Sequence, residues 1–288
     1  MKTEYRHLHS MGTRLDLVFP GVDQTGCDEI MKKVKAELMR LEGKLSIYLP
    51  DSELSMINLT AHAGPIWLDD ELLSVFREIM HFHRESHGFF DVTMKPVFDF
   101  HMEKDGEEKP VPDEIRKRVG MENIVIDEHG ITFREKGMLI DLGGYGKGYA
   151  VKRIISILES EGIDCALISF GESMVYGLGT HPYGDTWKVS VPAHIPGDNI
   201  VFNLNNNAFS TSGNTLNNQK KFANSGHIVN PVTLLMKREE GLVSVKAADP
   251  LRAEVFSTAF YSAGEKQSNE ILKEISDLEV KWLFPVES

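Results

Sequence analysis

The chain has 288 residues, a hydrophobic content of 41%, a charged content of 26% and a formal net charge of −12 at pH 7. These values are ordinary for a soluble globular protein and suffice for one large domain or two intertwined ones. The negative charge argues against non-specific nucleic-acid binding, because a polyanion would be repelled, and an anionic ligand therefore needs a local cationic pocket. Two cysteines, Cys27 and Cys165, are too few for a disulfide framework or a four-thiolate zinc site.

The first ten residues carry no apolar core region and no small-residue cleavage site, so we do not expect them to be a signal peptide. No apolar stretch approaches the roughly 20 residues of a membrane span. We therefore expect a cytoplasmic protein, or a periplasmic or exported one if the sequence is a processed form.

Predicted helices and strands follow one another without a regular βαβ rhythm. Periodic apolar spacing predicts helices over residues 27–41, 51–58, 69–86, 149–161, 251–263 and 269–275. Short runs predict strands over residues 15–19, 123–127, 130–133, 165–170, 187–191, 200–204, 242–245 and 280–284, with Cys165 in the core. Residues 104–112 and 214–224 are expected to be loops. The irregular alternation favours an α+β fold over a doubly wound sheet.

A glycine-rich stretch, Ile140–Tyr149, lies between a short apolar run and a predicted helix, and it has four glycines within six positions. Glycines let the backbone turn tightly and approach a bulky ligand closely. The following helix N-terminus offers free N–H groups and a partial positive charge, and Lys147 adds a full one. The sequence therefore predicts a phosphate or nucleotide site, with a purely structural glycine turn as the alternative.

This stretch matches neither of the two common nucleotide fingerprints. A P-loop needs a Ser or Thr hydroxyl for magnesium directly after Gly-Lys, whereas Gly148 and Tyr149 follow Lys147 here. A dinucleotide-binding turn needs a third glycine where this chain has Tyr149.

Seven segments, in order and spread over nearly the whole chain, resemble the ApbE family of FAD:protein FMN transferases. They are residues 11–13, Tyr48 with 51–55, and residues 88–93, 141–149, 208–213, 225–231 and 253–259. The resemblance implies an ApbE-like (T-fold-like) α+β fold of mixed sheets with packed helices. It also implies a single flavin transferase domain over residues 1–288, and two intertwined subdomains with the active-site cleft between them are a further expectation.

The resemblance implies that the chain binds FAD and Mg²⁺, cuts the FAD pyrophosphate and transfers FMN to a Ser or Thr hydroxyl of an acceptor protein. AMP would be released. Two alternatives stay open: an FAD pyrophosphatase, in which water replaces the hydroxyl, and a flavin-binding protein without catalysis. No nucleic-acid partner and no membrane span are expected.

The same resemblance implies three metal ligands: the Gly146 carbonyl, Glu254 and Thr258. Residues four apart lie on one helix face, so the positions of Glu254 and Thr258 suit a shared ion. Glu254 stands where the family usually has an aspartate, and its longer side chain must fold back to reach that ion. Asp249 is an alternative carboxylate, and the alternative for Glu254 is a solvated surface acid.

Further positions match family residues that contact FAD: Met11, Tyr48, Phe89, Phe90, Asp91, Lys147, Ser212, Gly213, His227 and Ile228. An aromatic side chain such as Tyr48 can stack on the flavin, although one of Phe89 and Phe90 is expected to be ordinary core. The expected catalytic residues are Lys147, which neutralises pyrophosphate, and His227, a general base. Asn230 replaces the family's usual aspartate three residues after the histidine, and an amide cannot stabilise an imidazolium as a carboxylate can.

Overall fold

A computed structural model of the chain describes residues 1–103, 109–128, 130–171, 173–191, 200–214 and 226–283. The α-helices are α1 (Gln24–Leu45), α2 (Glu53–Thr60), α3 (Asp70–Glu85), α4 (Lys95–Glu103), α5 (Asp113–Arg116), α6 (Gly146–Ser160), α7 (Pro250–Ala263) and α8 (Glu265–Ile271). The strands are β1 (Thr3–Ser10), β2 (Thr13–Pro20), β3 (Ile124–Asp127), β4 (Gly130–Phe133), β5 (Ala166–Phe170), β6 (Met174–Leu178), β7 (Trp187–Val191), β8 (Ile200–Leu204), β9 (Asn207–Asn214), β10 (Gly241–Ala247) and β11 (Glu279–Leu283).

The main sheet has seven strands in the order β1-β2-β5-β6-β9-β10-β11. Every neighbouring pair in it is antiparallel. The pairs β3-β4 and β7-β8 form separate two-stranded sheets. Antiparallel pairing with helices packed on the sheet is an α+β arrangement, so the predicted fold class is confirmed.

Helix α7 forms the centre of the helical layer. It packs on β9 and β10 and against α6, which in turn contacts α1. Almost all of its side chains are buried, including the polar ones of Glu254, Ser257 and Ser262. Functional side chains on α7 are therefore held in a rigid interior element. Within the described ranges, no helix is both long and apolar enough to cross a bilayer.

Two smaller apolar clusters complete the core and bear on the site. One, on β6 to β9, consists of Val175, Trp187, Phe202, Leu204 and Phe209. The other joins α4 to residues 226–237, which include His227, and its buried members are Val97, Val111, Val119, Val229, Leu234 and Met236. The second cluster therefore fixes the segment that carries the predicted base.

Helices α6 and α7 approach closely because Gly148 has no side chain. A Cβ there would lie 2.8 Å from Leu251 Cα and 2.9 Å from the Pro250 carbonyl oxygen. Both neighbours are backbone atoms, so they cannot rotate away. One glycine of the predicted turn thus has a structural role between two helices.

Several sequence predictions are corrected here. Strands β1, β6 and β9 and helix α4 were not predicted. At the sheet edge, β1 is polar, and β6 is buried along its whole length, so neither shows apolar alternation.

Helix α6 begins at Gly146, inside the glycine-rich stretch, and α8 begins and ends four residues earlier than predicted. Cys165 precedes its strand and is partly exposed. Of the predicted loops, residues 104–108 and 215–224 lie outside the described residues.

We expect Gly148→Ala to lower the free energy of unfolding by about 1–3 kcal/mol, because the added methyl group must push two helices apart. The matched control is Gly43→Ala within α1, where a Cβ would meet nothing within 4 Å. That change should raise stability by up to about 1 kcal/mol through helix propensity. Urea denaturation measures both. Equal effects of the two substitutions would contradict the close approach at Gly148.

Candidate active site

An open cleft with a volume of 770 Å³ lies beside the glycine-rich turn. Most of the predicted site residues line it: Tyr48, Phe89, Phe90, Asp91, Lys147, Ser212, Gly213, His227, Ile228, Glu254 and Thr258. Met11 and Gly146, which also lie in the described ranges, do not. The fold therefore collects on one cleft side chains that are far apart in the sequence.

Met11 and Gly146 have visible structural roles. Met11 forms the β1-β2 turn with φ of 50°, and its side chain packs against the main core. Gly146 opens α6, and its N–H donates to the Leu142 carbonyl at 2.8 Å. The flavin contact of Met11 and the metal ligation of the Gly146 carbonyl stay predictions.

The glycine-rich turn lies directly against α7 at a second position, Gly144. A Cβ there would lie 3.1 Å from Thr258 Oγ1 and 3.2 Å from its Cγ2. The Asp141 carboxylate accepts from the Gly143 N–H at 2.9 Å and so shapes the turn. The Asp141 N–H donates to the Val92 carbonyl at 2.8 Å, which joins the turn to the segment after Phe89 and Phe90.

Glu254 occupies the anion-binding position at the start of α6. One carboxylate oxygen accepts from Lys147 Nζ at 2.5 Å, and the other accepts from the Gly148 N–H. The residue is 2% exposed, which excludes a solvated surface acid. Removing one partner of a buried ion pair is costly because the other charge is left uncompensated. Lys147 and the Gly148 N–H thus bind the Glu254 carboxylate here, and the predicted contact of Lys147 with a phosphate stays a prediction.

Glu254 and Thr258 both line the cleft, one helical turn apart. A carboxylate and a hydroxyl are hard oxygen ligands, so their chemistry fits Mg²⁺. Among the described residues, no group of three or more His, Cys, Asp or Glu side chains is placed to hold an ion. A cation here would therefore take further oxygens from the backbone, water or a bound phosphate.

Asp249, the alternative metal ligand considered from the sequence, has a structural role. Its carboxylate caps α7, because Oδ1 accepts from the Leu251 N–H at 2.8 Å. Its other oxygen pairs with Lys152 Nζ at 3.1 Å. It does not line the cleft, so this structure gives no support to Asp249 as a ligand.

His227 lies on a tight loop between residues 226 and 237. The Lys237 N–H donates to the Ile228 carbonyl at 2.8 Å, and a Cβ at Gly226 would lie 2.2 Å from the Lys237 carbonyl oxygen. Only glycine fits there, where φ is 77°. The buried His101 ring nitrogen Nε2 contacts the Leu234 carbonyl at 2.8 Å and fastens the loop to α4.

Asn230 joins this loop to α7. Its Oδ1 accepts from the N–H groups of Val232 and Thr233 at 2.9 and 3.0 Å, and its Nδ2 donates to the Ser262 carbonyl at 2.9 Å. An amide oxygen has two lone pairs, and both are used here. The Asn230 side-chain oxygen therefore has no lone pair left for a hydrogen bond from a His227 imidazolium, and a carboxylate in its place could not donate to the Ser262 carbonyl.

The aromatic side of the cleft combines core and exposed residues. Phe90 is buried, so it is the core member of the Phe89–Phe90 pair, as expected. Asp91 accepts from the Thr93 N–H and hydroxyl at 2.7 and 2.6 Å, and burial raises the pKa of its carboxyl. Tyr48 is 79% exposed and can therefore stack on a ring entering from solvent.

Some lining residues were not singled out from the sequence, among them Lys95, Phe98, Asp141 and Ser262. Lys95 and Phe98 lie on α4, which was not predicted, so no sequence signal pointed to them. Asp141 is the second residue of the glycine-rich stretch, and that location was the sequence signal that could have identified it as a lining residue.

A sequence profile of the ApbE family matches residues 11–282. The chain belongs to the ApbE family. It is 26% identical over 281 residues to an FAD:protein FMN transferase from Klebsiella pneumoniae (strain 342), an alignment covering 92% of this chain and 80% of that one. To the FAD:protein FMN transferase of Escherichia coli (strain K12) it is 24% identical over 280 residues, covering 92% and 79%.

Solved structures of ApbE proteins share the fold. The flavin transferase ApbE from Vibrio cholerae superposes with a TM-score of 0.83 at 21% identity, covering 99% of this chain and 95% of that one. The apo flavinyl transferase ApbE from Pseudomonas stutzeri gives 0.85 at 20% identity, covering 100% and 92%. The predicted ApbE-like fold is confirmed.

We expect Asp141→Asn to stabilise the protein at neutral and alkaline pH. Burial raises the pKa of Asp141 above its ordinary value of 3.8. An acid with a raised folded-state pKa binds its proton more tightly in the folded state, so stability falls as pH rises through that window. Asparagine keeps an oxygen for the Gly143 N–H and carries no charge.

Thermal unfolding at a series of pH values measures this. The melting temperature of Asp141→Asn should exceed that of the wild type at about pH 8, and the difference should shrink as pH falls toward about 4. The control is Asp51→Asn, because Asp51 is exposed. A melting-temperature difference between Asp141→Asn and the wild type that does not depend on pH would contradict the raised pKa of Asp141.

Proposed function

We propose that this protein transfers FMN from FAD to a Ser or Thr hydroxyl of an acceptor protein, with Mg²⁺ as cofactor and AMP as the second product. One observation carries the proposal: Lys147, Glu254, Thr258 and His227 converge on a single cleft beside a glycine-rich turn. Relatives aligned over most of the chain are named FAD:protein FMN transferases, which supports the same reaction.

FAD would lie with its flavin toward Tyr48 and Phe89 and its pyrophosphate at the glycine-rich turn. The cleft volume of 770 Å³ falls in the range typical of small-molecule sites. Lys147 would contact phosphate oxygens, since its ammonium lies at the cleft wall. Positioning and charge neutralisation of this kind supply most of the catalysis in phosphoryl-type transfer.

Glu254 and Thr258 would hold Mg²⁺, together with the Gly146 carbonyl. The bound metal would supply a Lewis acid that stabilises negative charge on the pyrophosphate. In the transfer, the acceptor oxygen bonds to the FMN phosphorus and the P–O bond to the AMP phosphate breaks. The hydroxyl proton passes to His227, and AMP leaves with the bridging oxygen.

The test is to incubate the purified protein with FAD, Mg²⁺ and a bacterial protein extract. Released AMP is quantified by chromatography, and covalent flavin is detected by fluorescence after denaturing electrophoresis. Mass spectrometry then locates the modified residue. We expect AMP and a Ser or Thr carrying FMN, both abolished by a chelator.

Each of the other outcomes would contradict a different part of the proposal. AMP and free FMN without labelled protein would indicate an FAD pyrophosphatase. FAD binding with no AMP, with or without the extract, would indicate a flavin-binding protein. Labelling that persists fully in excess chelator would exclude the metal from the reaction.

We expect His227→Asn to lower the transfer rate by roughly 10²–10⁴-fold, the usual contribution of a positioned general base. The affinity for FAD should change by less than about threefold, as measured by quenching of flavin fluorescence. The control is His7→Asn, because His7 is exposed on the edge strand β1. A His227→Asn variant with wild-type turnover would exclude His227 as the base.

A further inference from the structure

A chain of hydroxyl contacts joins the wall of the cleft to the interior of α7. Ser212 Oγ lies 3.2 Å from Thr258 Oγ1 and 2.9 Å from Ser257 Oγ. Ser257 Oγ in turn lies 2.9 Å from the Glu254 carbonyl oxygen and 3.2 Å from Ser210 Oγ. Ser257 is 0% exposed, so it contacts no ligand in the cleft directly.

The direction of these hydrogen bonds follows from counting protons. A hydroxyl has one proton and two lone pairs, whereas a carbonyl oxygen can only accept. The Glu254 carbonyl can only accept, so in their 2.9 Å contact Ser257 is the donor. Ser257 then has no second proton for Ser212 or for Ser210, and Ser210 is the donor in the longer 3.2 Å contact with Ser257. Ser212 consequently donates to Ser257, and Thr258 must donate to Ser212.

This order determines what Thr258 offers to the cleft. Its single proton is directed at Ser212, so both lone pairs of Oγ1 are left for a ligand. A hydroxyl coordinates a cation through a lone pair, and a proton pointing at the cation would repel it. Because the Thr258 proton points at Ser212, Thr258 does not donate to the Glu254 carbonyl four residues earlier, as threonines in helices commonly do.

We infer that Ser257 is a positioning residue that, through Ser212, orients the Thr258 hydroxyl as an acceptor for a divalent cation. The inference rests on the metal site of the proposed function. In it, the buried Ser257 side chain sets the orientation of Thr258, one of the proposed metal ligands. Removing the Ser257 hydroxyl frees the Ser212 proton to turn toward Thr258, and the Thr258 proton can then point into the cleft.

The chain provides a matched control at Ser244. Ser244 lies on β10 and is also 0% exposed, and its hydroxyl lies 2.8 Å from Thr211 Oγ1 on the paired strand β9. The Ser244–Thr211 hydrogen bond has no connection to Thr258 among the hydrogen bonds given above. Ser244→Ala therefore removes a comparable buried hydrogen bond without changing the orientation of Thr258.

The experiment measures binding of Mn²⁺ alone to the purified 288-residue chain by electron paramagnetic resonance. We expect Ser257→Ala to weaken Mn²⁺ binding about fivefold, the effect of one lost hydrogen bond of ordinary strength. Ser244→Ala should stay within about twofold of the wild type. Thermal unfolding of both variants shows whether they are equally folded.

The decisive arm repeats Ser257→Ala in two further backgrounds. In Thr258→Val, which has no hydroxyl to orient, Ser257→Ala should have no additional effect on Mn²⁺ affinity. In Thr258→Ser, which keeps the hydroxyl, the effect of about fivefold should return. A purely structural role of Ser257 would give the same loss in both backgrounds.

Three results would overturn the inference: wild-type Mn²⁺ affinity in Ser257→Ala, equal losses in Ser257→Ala and Ser244→Ala, or a loss that persists in Thr258→Val. Each can occur while FMN transfer proceeds normally, so each leaves the proposed function standing. Absence of Mn²⁺ binding by the wild type would overturn the inference and the metal site together. FAD-dependent protein labelling would then show whether the transfer itself also fails.

Discussion

The contact between the start of α6 and the first turns of α7 is the constraint on which the site depends. Gly148 lets the two helices meet at backbone distance, and the Lys147–Glu254 ion pair joins them there. The approach also brings Gly144 beside Thr258. A bulkier residue at Gly148 would separate the turn from α7 and so move Lys147 away from the side-chain oxygens of Glu254 and Thr258.

Helix α7 is the common support for the rest of the site. The carboxylate of Glu254, the hydroxyl of Thr258 and the carbonyl that anchors the histidine loop through Asn230 lie on its successive turns. Since α7 is buried against β9 and β10, these groups keep fixed distances from one another. A rigid support of this kind is what a reaction dependent on positioning requires.

Sequence reasoning found the fold class and eleven of the residues that line the cleft because glycine density and ordered motifs are local signals. It did not find α4 or the strands β1, β6 and β9, where burial on both faces or a polar edge removes the alternation that marks a strand. It also assigned Asn230 only a weakened electrostatic role. Its contact with Ser262 joins residues 32 positions apart, and no local pattern could indicate it.

The charges at the turn explain why a divalent cation belongs in the proposed function. Lys147 alone would attract pyrophosphate, but Glu254 neutralises it, so the pair has no net charge. The chain as a whole carries −12, which adds repulsion toward an anion. The Lys147–Glu254 pair would therefore offer a doubly charged pyrophosphate no net positive charge. In the proposed function, a divalent cation held by Glu254 and Thr258 would balance this charge and would leave Lys147 able to contact the phosphate.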